Sequence, residues 1–224
     1  MGTIVITGAN RGIGLELARR YSRKGHSVLA CVRSPEKAEA LKELANVSVV
    51  ALDVTDPASC QAAAKAAGPV DLLVCNAGVL IGRGLLDDDN YTVDSWATTM
   101  ATNVAGPFNC TRAFLPNLKE TKGKVAFISS SMGSSGLAKS GGVYSYRASK
   151  AAVTNLAVNL SLELTQYGIA IGAFDPGWVR TDMGGGTADL DVEESAVGLI
   201  ERFEALSLET TGTFETYSGT RHPF

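Results

Sequence analysis

The chain has 224 residues, 45% of them hydrophobic and 19% charged, a composition that fits a globular fold and excludes a disordered one. That length buries a core without disulfide or metal staples, so one domain covering residues 1–224 is expected. A formal net charge of −3 offers no basic footprint, which sets aside nucleic acid and anionic membrane surfaces as partners and leaves small-molecule chemistry in front.

The first β-rich run, Thr3 to Thr7, leads directly into T-G-A-N-R-G-I-G, which places Gly8, Gly12 and Gly14 where strand turns into helix. Such a turn lets backbone N–H groups at a helix N-terminus approach a pyrophosphate, so this segment predicts a dinucleotide site. Gly25 marks the end of the first helix. The second run, S-V-L-A-C-V at 27–32, is followed by Arg33, nineteen residues beyond Gly14. An NAD enzyme of this architecture places an acid about 20 residues beyond the motif to grip the ribose 2′-hydroxyl. An arginine there suits a 2′-phosphate and favours NADP(H), with Arg11 as a second positive charge, unless both are solvated surface groups.

Ser34-Pro35 and Asp56-Pro57 each place a capping side chain before a proline, predicting two helix starts. Between them lies the run 47–52, followed by Asp53 and Val54. Asp53 either accepts a hydrogen bond from the adenine amino group or forms a turn. The run 70–75 ends in Cys75-Asn76-Ala77-Gly78, where Ala77 and Gly78 allow close approach to a cofactor and Asn76 either shares in that or ties neighbouring strands together. Further runs at 124–129, 169–174 and 212–217 bring the total to seven. Their near-continuous apolar character predicts an α/β doubly wound Rossmann-like domain, a seven-stranded mostly parallel sheet with helices on both faces.

Tyr146 and Lys150 fall in a helical stretch from about Tyr144 to Tyr167, at the i, i+4 spacing that puts both on one face. A free phenol has a pKa of about 10, and a neighbouring ammonium favours its ionised form, so this pair is expected to bring a proton-exchanging group toward neutrality. Tyr144 is excluded from that role because its i+4 residue is Ala148. Gly184-Gly185-Gly186 suits a hinge, which makes 182–195 either a substrate lid or a plain surface loop. Trp178, Met132, Leu80, Leu137 and Met183 either wall a substrate pocket or belong to the core.

The four cysteines are widely spaced within apolar runs and include no C-x-x-C pair, which points to reduced thiols and a cytoplasmic protein. The opening apolar run is too short for a signal peptide, and no stretch is long enough to cross a bilayer. His26 and His222 are far apart, and no ligand cluster has zinc spacing, so no metal is expected.

In order along the chain, T-G-A-N-R-G-I-G, C-N-A-G, the Asn103 of T-N-V-A-G, I-S-S, Y-R-A-S-K and P-G-W-V-R-T-D resemble the short-chain dehydrogenase/reductase family. The pattern is most similar to its small carbonyl-reductase branch, the Sniffer-like or C-factor-like enzymes. This resemblance implies an NADPH-dependent oxidoreductase that reduces an aldehyde or ketone reversibly to an alcohol. Tyr146 would be the proton donor, Lys150 its pKa-lowering partner, Ser130 the group that polarises the carbonyl, and Asn103 the holder of a proton-relay water. The implied cofactor contacts are Gly8, Asn10, Arg11, Gly12, Ile13, Gly14, Arg33, Asp53, Val54, Asn76, Ala77, Gly78, Tyr146, Lys150, Pro176, Gly177, Val179 and Thr181. Ser130 lies 16 residues before the tyrosine, longer than the family's usual interval, which keeps Ser129, Ser131 and Ser134 open as alternatives. The resemblance also implies a homodimer or homotetramer. A cofactor-binding sensor with little turnover is the competing reading, since fold alone does not guarantee activity.

Overall fold

A computed structural model describes residues 1–224. Seven strands form one sheet in the order β3-β2-β1-β4-β5-β6-β7: β1 Thr3–Thr7, β2 Ser27–Val32, β3 Val47–Ala51, β4 Leu72–Cys75, β5 Lys124–Ile128, β6 Ala170–Asp175 and β7 Phe214–Thr216. Every pairing is parallel, so the sheet is wholly rather than mostly parallel. Seven α-helices connect the strands: α1 Gly12–Arg23, α2 Glu39–Lys42, α3 Pro57–Ala67, α4 Val93–Met100, α5 Gly106–Thr121, α6 Tyr144–Leu164 and α7 Val192–Ala205.

Burial follows the pleat. Ile4 and Ile6 of β1 and Leu72 and Val74 of β4 share one core with Leu17 and Tyr21 of α1 and Leu199 and Phe203 of α7. Val5, Leu73 and Phe127 face the opposite core, with Cys60 of α3, Phe114 and Leu118 of α5, and Val153 and Ala157 of α6. With both faces covered, the strands need no polar side, which explains their continuous apolar runs. The strand order reverses at the β1/β4 junction, where the carboxyl ends open a crevice.

Asp56 caps α3 as expected, accepting from Ala58 N–H at 2.9 Å. Ser34 does not cap: its side chain makes no such bond, and Pro35–Lys37 forms only a single tight 3₁₀ turn. Between α4 and α5 the chain widens into a π-helical turn, Ala101–Ala105, in which Gly106 N–H reaches Ala101 O five residues back. Pro107, at the start of α5, has no N–H to return to Asn103 O, which accounts for the break in the ordinary ladder. The widened turn carries Asn103.

Candidate active site

The first β-α turn has the shape a dinucleotide requires. Gly8 and Gly12 have φ of +65° and +52°, a region that disfavours side chains. A Cβ on Gly8 would stand 2.9 Å from Ala77 Cα, and one on Gly14 would stand 2.5 Å from both Gly8 O and Asn76 Nδ2. Asn76 ties this arrangement together: Nδ2 donates to Thr7 O (2.9 Å) and Gly8 O (3.1 Å). Its backbone N–H and that of Ala77 both donate to Thr7 Oγ1 at 3.0 Å. Asn76 thus ties the end of β4 to the end of β1. The first intrahelical donor of α1 is Leu15 N–H to Arg11 O, so the N–H groups of Gly12, Ile13 and Gly14 precede the helical ladder. Asn10 is exposed beside them.

Arg33 is exposed at the end of β2 and lies near Asp53, whose carboxyl it helps hold below the usual range. The main causes of that lowering are the Thr55 hydroxyl and N–H, which donate to Asp53 Oδ1 at 2.7 and 2.9 Å. These bonds close a turn over Asp53–Thr55 through one carboxylate oxygen. Val54 is buried against Gly106, where an added Cβ would meet it at 2.7 Å. The Arg11 guanidinium pairs with Asp182 at 2.7 Å, with both side chains well exposed. Thr181 rests 3.3 Å from where a Gly12 Cβ would lie, so the segment after Pro176-Gly177 closes on the glycine turn.

Four of the expected polar groups converge beyond the ends of β4 and β5. Asn103 is buried; its Oδ1 accepts from Val79 N–H (2.8 Å), and its Nδ2 donates to Val79 O (2.8 Å) and Ser149 Oγ (3.0 Å). A Cβ on Gly78 would sit 3.4 Å from Asn103 Oδ1 and 3.8 Å from Lys150 Nζ, so both groups border that glycine. Lys150 Nζ donates to Ile128 O at 2.7 Å and lies 5.4 Å from the Tyr146 ring centre. Ser130 follows β5 at the start of the short turn, where its Oγ accepts from Met132 N–H at 3.2 Å. The other serines are engaged elsewhere: Ser129 Oγ with Thr154 Oγ1 at 2.6 Å, and Ser134 Oγ with Pro223 O at 2.5 Å. Ser131 opens the short turn Ser131–Gly133. Tyr144 stacks edge-on against Tyr91 at 5.1 Å, away from that role.

Electrostatics correct the sequence expectation. Tyr146 is not acidified: burial first, and then the Asp175 charge, push its pKa up to about 12, against smaller lowering by Ser130 and Arg83. Lys150 is itself buried, which brings its pKa down to about 8. Desolvation is the largest influence on both groups, so near neutrality the phenol keeps its proton.

The segment expected to act as a lid is fastened at several points. Arg180 N–H donates to Leu190 O (2.8 Å), Trp178 Nε1 to Gly184 O (2.8 Å), and Arg83 Nη2 to Met183 O (2.5 Å). Its 182–195 boundary is too long, because 192–195 form the first turn of α7 and Ser195 Oγ bonds Pro176 O at 2.7 Å. Val179 is buried, whereas Trp178, Met132 and Leu137 are exposed on the rim. Arg83, Asp175 and His222 were missed by sequence reasoning, since a lone arginine and an acid–imidazole pair 47 residues apart carry no local signature. No cluster of three or more His, Cys, Asp or Glu side chains able to hold a metal is formed, and no helix is long and apolar enough to cross a membrane.

A glycine cradle at the strand-order switch, with a serine just past β5 and a Tyr and Lys one turn apart on α6, defines an oxidoreductase site of the short-chain dehydrogenase type. The chain belongs to that family: residues 2–190 match the short chain dehydrogenase family. Among curated proteins it is similar to C-signal of Myxococcus xanthus, 39% identical over 158 residues that cover 70% of this chain and 94% of that one. Among solved structures it is similar to an NADPH-bound carbonyl reductase from chicken fatty liver, 34% identical with a TM-score of 0.91, covering 100% of this chain and 99% of that one. It is also similar to the carbonyl reductase Sniffer of D. melanogaster, 27% identical with a TM-score of 0.94 over the whole of both chains.

Proposed function

We propose that this oxidoreductase reduces an aldehyde or ketone to an alcohol with NADPH, and that Tyr146 gives the proton. The observation that carries the reading is a buried Tyr146 one helical turn from an equally buried Lys150, whose Nζ lies 5.4 Å from the phenol ring. The glycine turn fits a dinucleotide, since side chains at Gly8 and Gly14 would fill the space the backbone leaves. Gly8, Gly12, Ile13 and Gly14 would hold the pyrophosphate, and Pro176, Gly177, Val179 and Thr181 the nicotinamide end. Arg33 supports the choice of the phosphorylated cofactor, because a guanidinium pairs with a 2′-phosphate and an acid would repel it. When bound, NADPH supplies the hydride to the carbonyl carbon.

The chain's own groups handle the oxygen. Ser130 and Tyr146 donate hydrogen bonds to it, which draws electron density toward oxygen as the carbon accepts hydride. Tyr146 then releases its proton, and the resulting phenolate is stabilised by Ser130 and by the Lys150 ammonium. With a pKa of about 8, Lys150 holds a proton loosely enough to exchange it near neutrality. Run backwards, the same groups oxidise an alcohol. The test is NADPH oxidation against a panel of carbonyl compounds, with Tyr146→Phe in parallel. Activity should vanish in the variant while cofactor affinity stays. Cofactor binding by the native protein without turnover of any panel member would instead favour a binding or sensing role.

A further inference from the structure

Tyr146 sits in the first turn of α6, the part of a helix least secured by its own ladder. The first intrahelical donor is Arg147 N–H, to Val143 O at 3.0 Å, so the N–H groups of Tyr144, Ser145 and Tyr146 precede the ladder. Val143, at the cap position, has no side-chain oxygen with which to hold that turn. Its φ is also +50°, in the left-handed region. Two other residues with side chains share that sign, Asn46 and Lys122. Asparagine tolerates the conformation, and Lys122 closes the end of α5, where it is common. A β-branched valine opening a helix is strained there and stays so only when its surroundings hold it.

The holding contacts come from the loop after β4. The Tyr91 hydroxyl accepts from Val143 N–H and donates to Gly84 O, both at 2.9 Å. Its ring stands edge-on to Tyr144, with centres 5.1 Å apart. Gly82, with φ of +76°, lies against that ring, and a Cβ there would stand 3.0 Å from it. One residue further on, Ser145 Oγ donates to Ile81 O at 3.1 Å. The same loop begins at Val79, bonded twice to Asn103 at 2.8 Å. Residues 79–91 thus run from one member of the site to the turn that carries another, and they grip Val143, Tyr144 and Ser145 directly before Tyr146. Relaxation of Val143 to an ordinary conformation would swing the chain three residues before the phenol. The bond that prevents this fixes where Tyr146 points.

We propose that Tyr91 is a positioning residue: its hydroxyl holds Val143 in the left-handed conformation and so sets the first turn of α6 with the Tyr146 phenol facing the substrate oxygen. The effect on catalysis rests on the reading of Tyr146 as proton donor; the clamp on the turn does not. Tyr91→Phe keeps the ring and removes both hydroxyl bonds. Hydrogen exchange followed amide by amide reads the clamp without any turnover. The Val143 and Arg147 amides should exchange about tenfold faster in the variant, the order of one lost hydrogen bond, with amides in the middle of α6 unchanged. In carbonyl reduction kcat should fall about ten- to a hundredfold, as it does when a reacting group is displaced, while the Kd for NADPH stays within about twofold. Val143→Gly added to Tyr91→Phe puts at this position a residue that adopts positive φ unaided. It should restore most of kcat and the protection of the Arg147 amide, but not that of amide 143. A merely structural tie gives no such rescue. Native kcat in Tyr91→Phe, failure of Val143→Gly to restore it, or NADPH affinity falling in step with kcat each overturns the proposal. Unmoved exchange in Tyr91→Phe overturns the clamp itself. Absence of carbonyl reduction by the native protein would overturn the functional reading instead, while exchange at Val143 and Arg147 would still decide whether Tyr91 holds the turn.

Discussion

Gly14→Ala sets two physical effects against each other. Gly14 lies in the first turn of α1, and helix propensity by itself favours alanine over glycine by about 1 kcal/mol. The added Cβ, however, would stand 2.5 Å from Gly8 O and 2.5 Å from Asn76 Nδ2. Asn76 cannot withdraw without losing its bonds to Thr7 O and Gly8 O, each contributing about 1 kcal/mol, and overpacking a tight site adds roughly 1–3 kcal/mol. The clash and the lost bonds outweigh the propensity, so a net loss of about 2 kcal/mol is expected. Urea unfolding reads it as a lower midpoint, and a parallel NADPH titration should show weakened binding because the same shift deforms the turn. Gly186→Ala is the control: a Cβ there meets nothing within 4 Å, and it should be neutral or stabilise by a few tenths of a kcal/mol. If Gly14→Ala matched or exceeded the native stability, the cradle would be looser than this geometry requires.

Three further outcomes follow from particular contacts. Arg33→Glu should lower the preference for NADPH over NADH by about tenfold or more, the order of one charge-assisted bond replaced by repulsion, as read from the two kcat/KM values. Asp182→Ala removes the partner of Arg11, but with both side chains well exposed the unfolding midpoint should change by no more than about 0.5 kcal/mol equivalent. Lys150, whose pKa falls from 10.5 to about 8 on folding, binds fewer protons in the native state between those values. Its burden on stability is therefore full below about pH 8 and fades as pH rises to 10.5. Lys150→Met should accordingly show a pH-dependent stability difference from the native protein that favours the variant most at low pH and declines across that window, measured by denaturant unfolding.

Much of the architecture was legible because both-face burial writes itself into the strands: S-V-L-A-C-V coincides with β2 and T-I-V-I-T with β1. The glycine turn and the Tyr146–Lys150 spacing were legible for the same reason, since backbone bend and helical period act over a few residues. Ser34 misled because a cap signal before proline also suits a single tight turn. The lid boundary misled because glycines mark a bend but say nothing of the Ser195 bond that anchors α7 to Pro176. The direction of the Tyr146 shift could not be read at all: spacing reports the nearby ammonium, whereas the winning effect, desolvation, depends on what the whole fold stacks over the ring. Arg11 likewise meets Asp182 only because the fold brings residues 171 positions apart together.

The central claim is that the crevice directs hydride to a carbonyl carbon while Tyr146 protonates its oxygen. NADPH carrying deuterium in place of both hydrogens on the nicotinamide carbon that gives up hydride, incubated with the protein and a carbonyl compound it consumes, tests this most directly. The account predicts an alcohol carrying one deuterium at the former carbonyl carbon with the native protein, and none formed with Tyr146→Phe. Alcohol without deuterium, or equal labelled product from the variant, would contradict it.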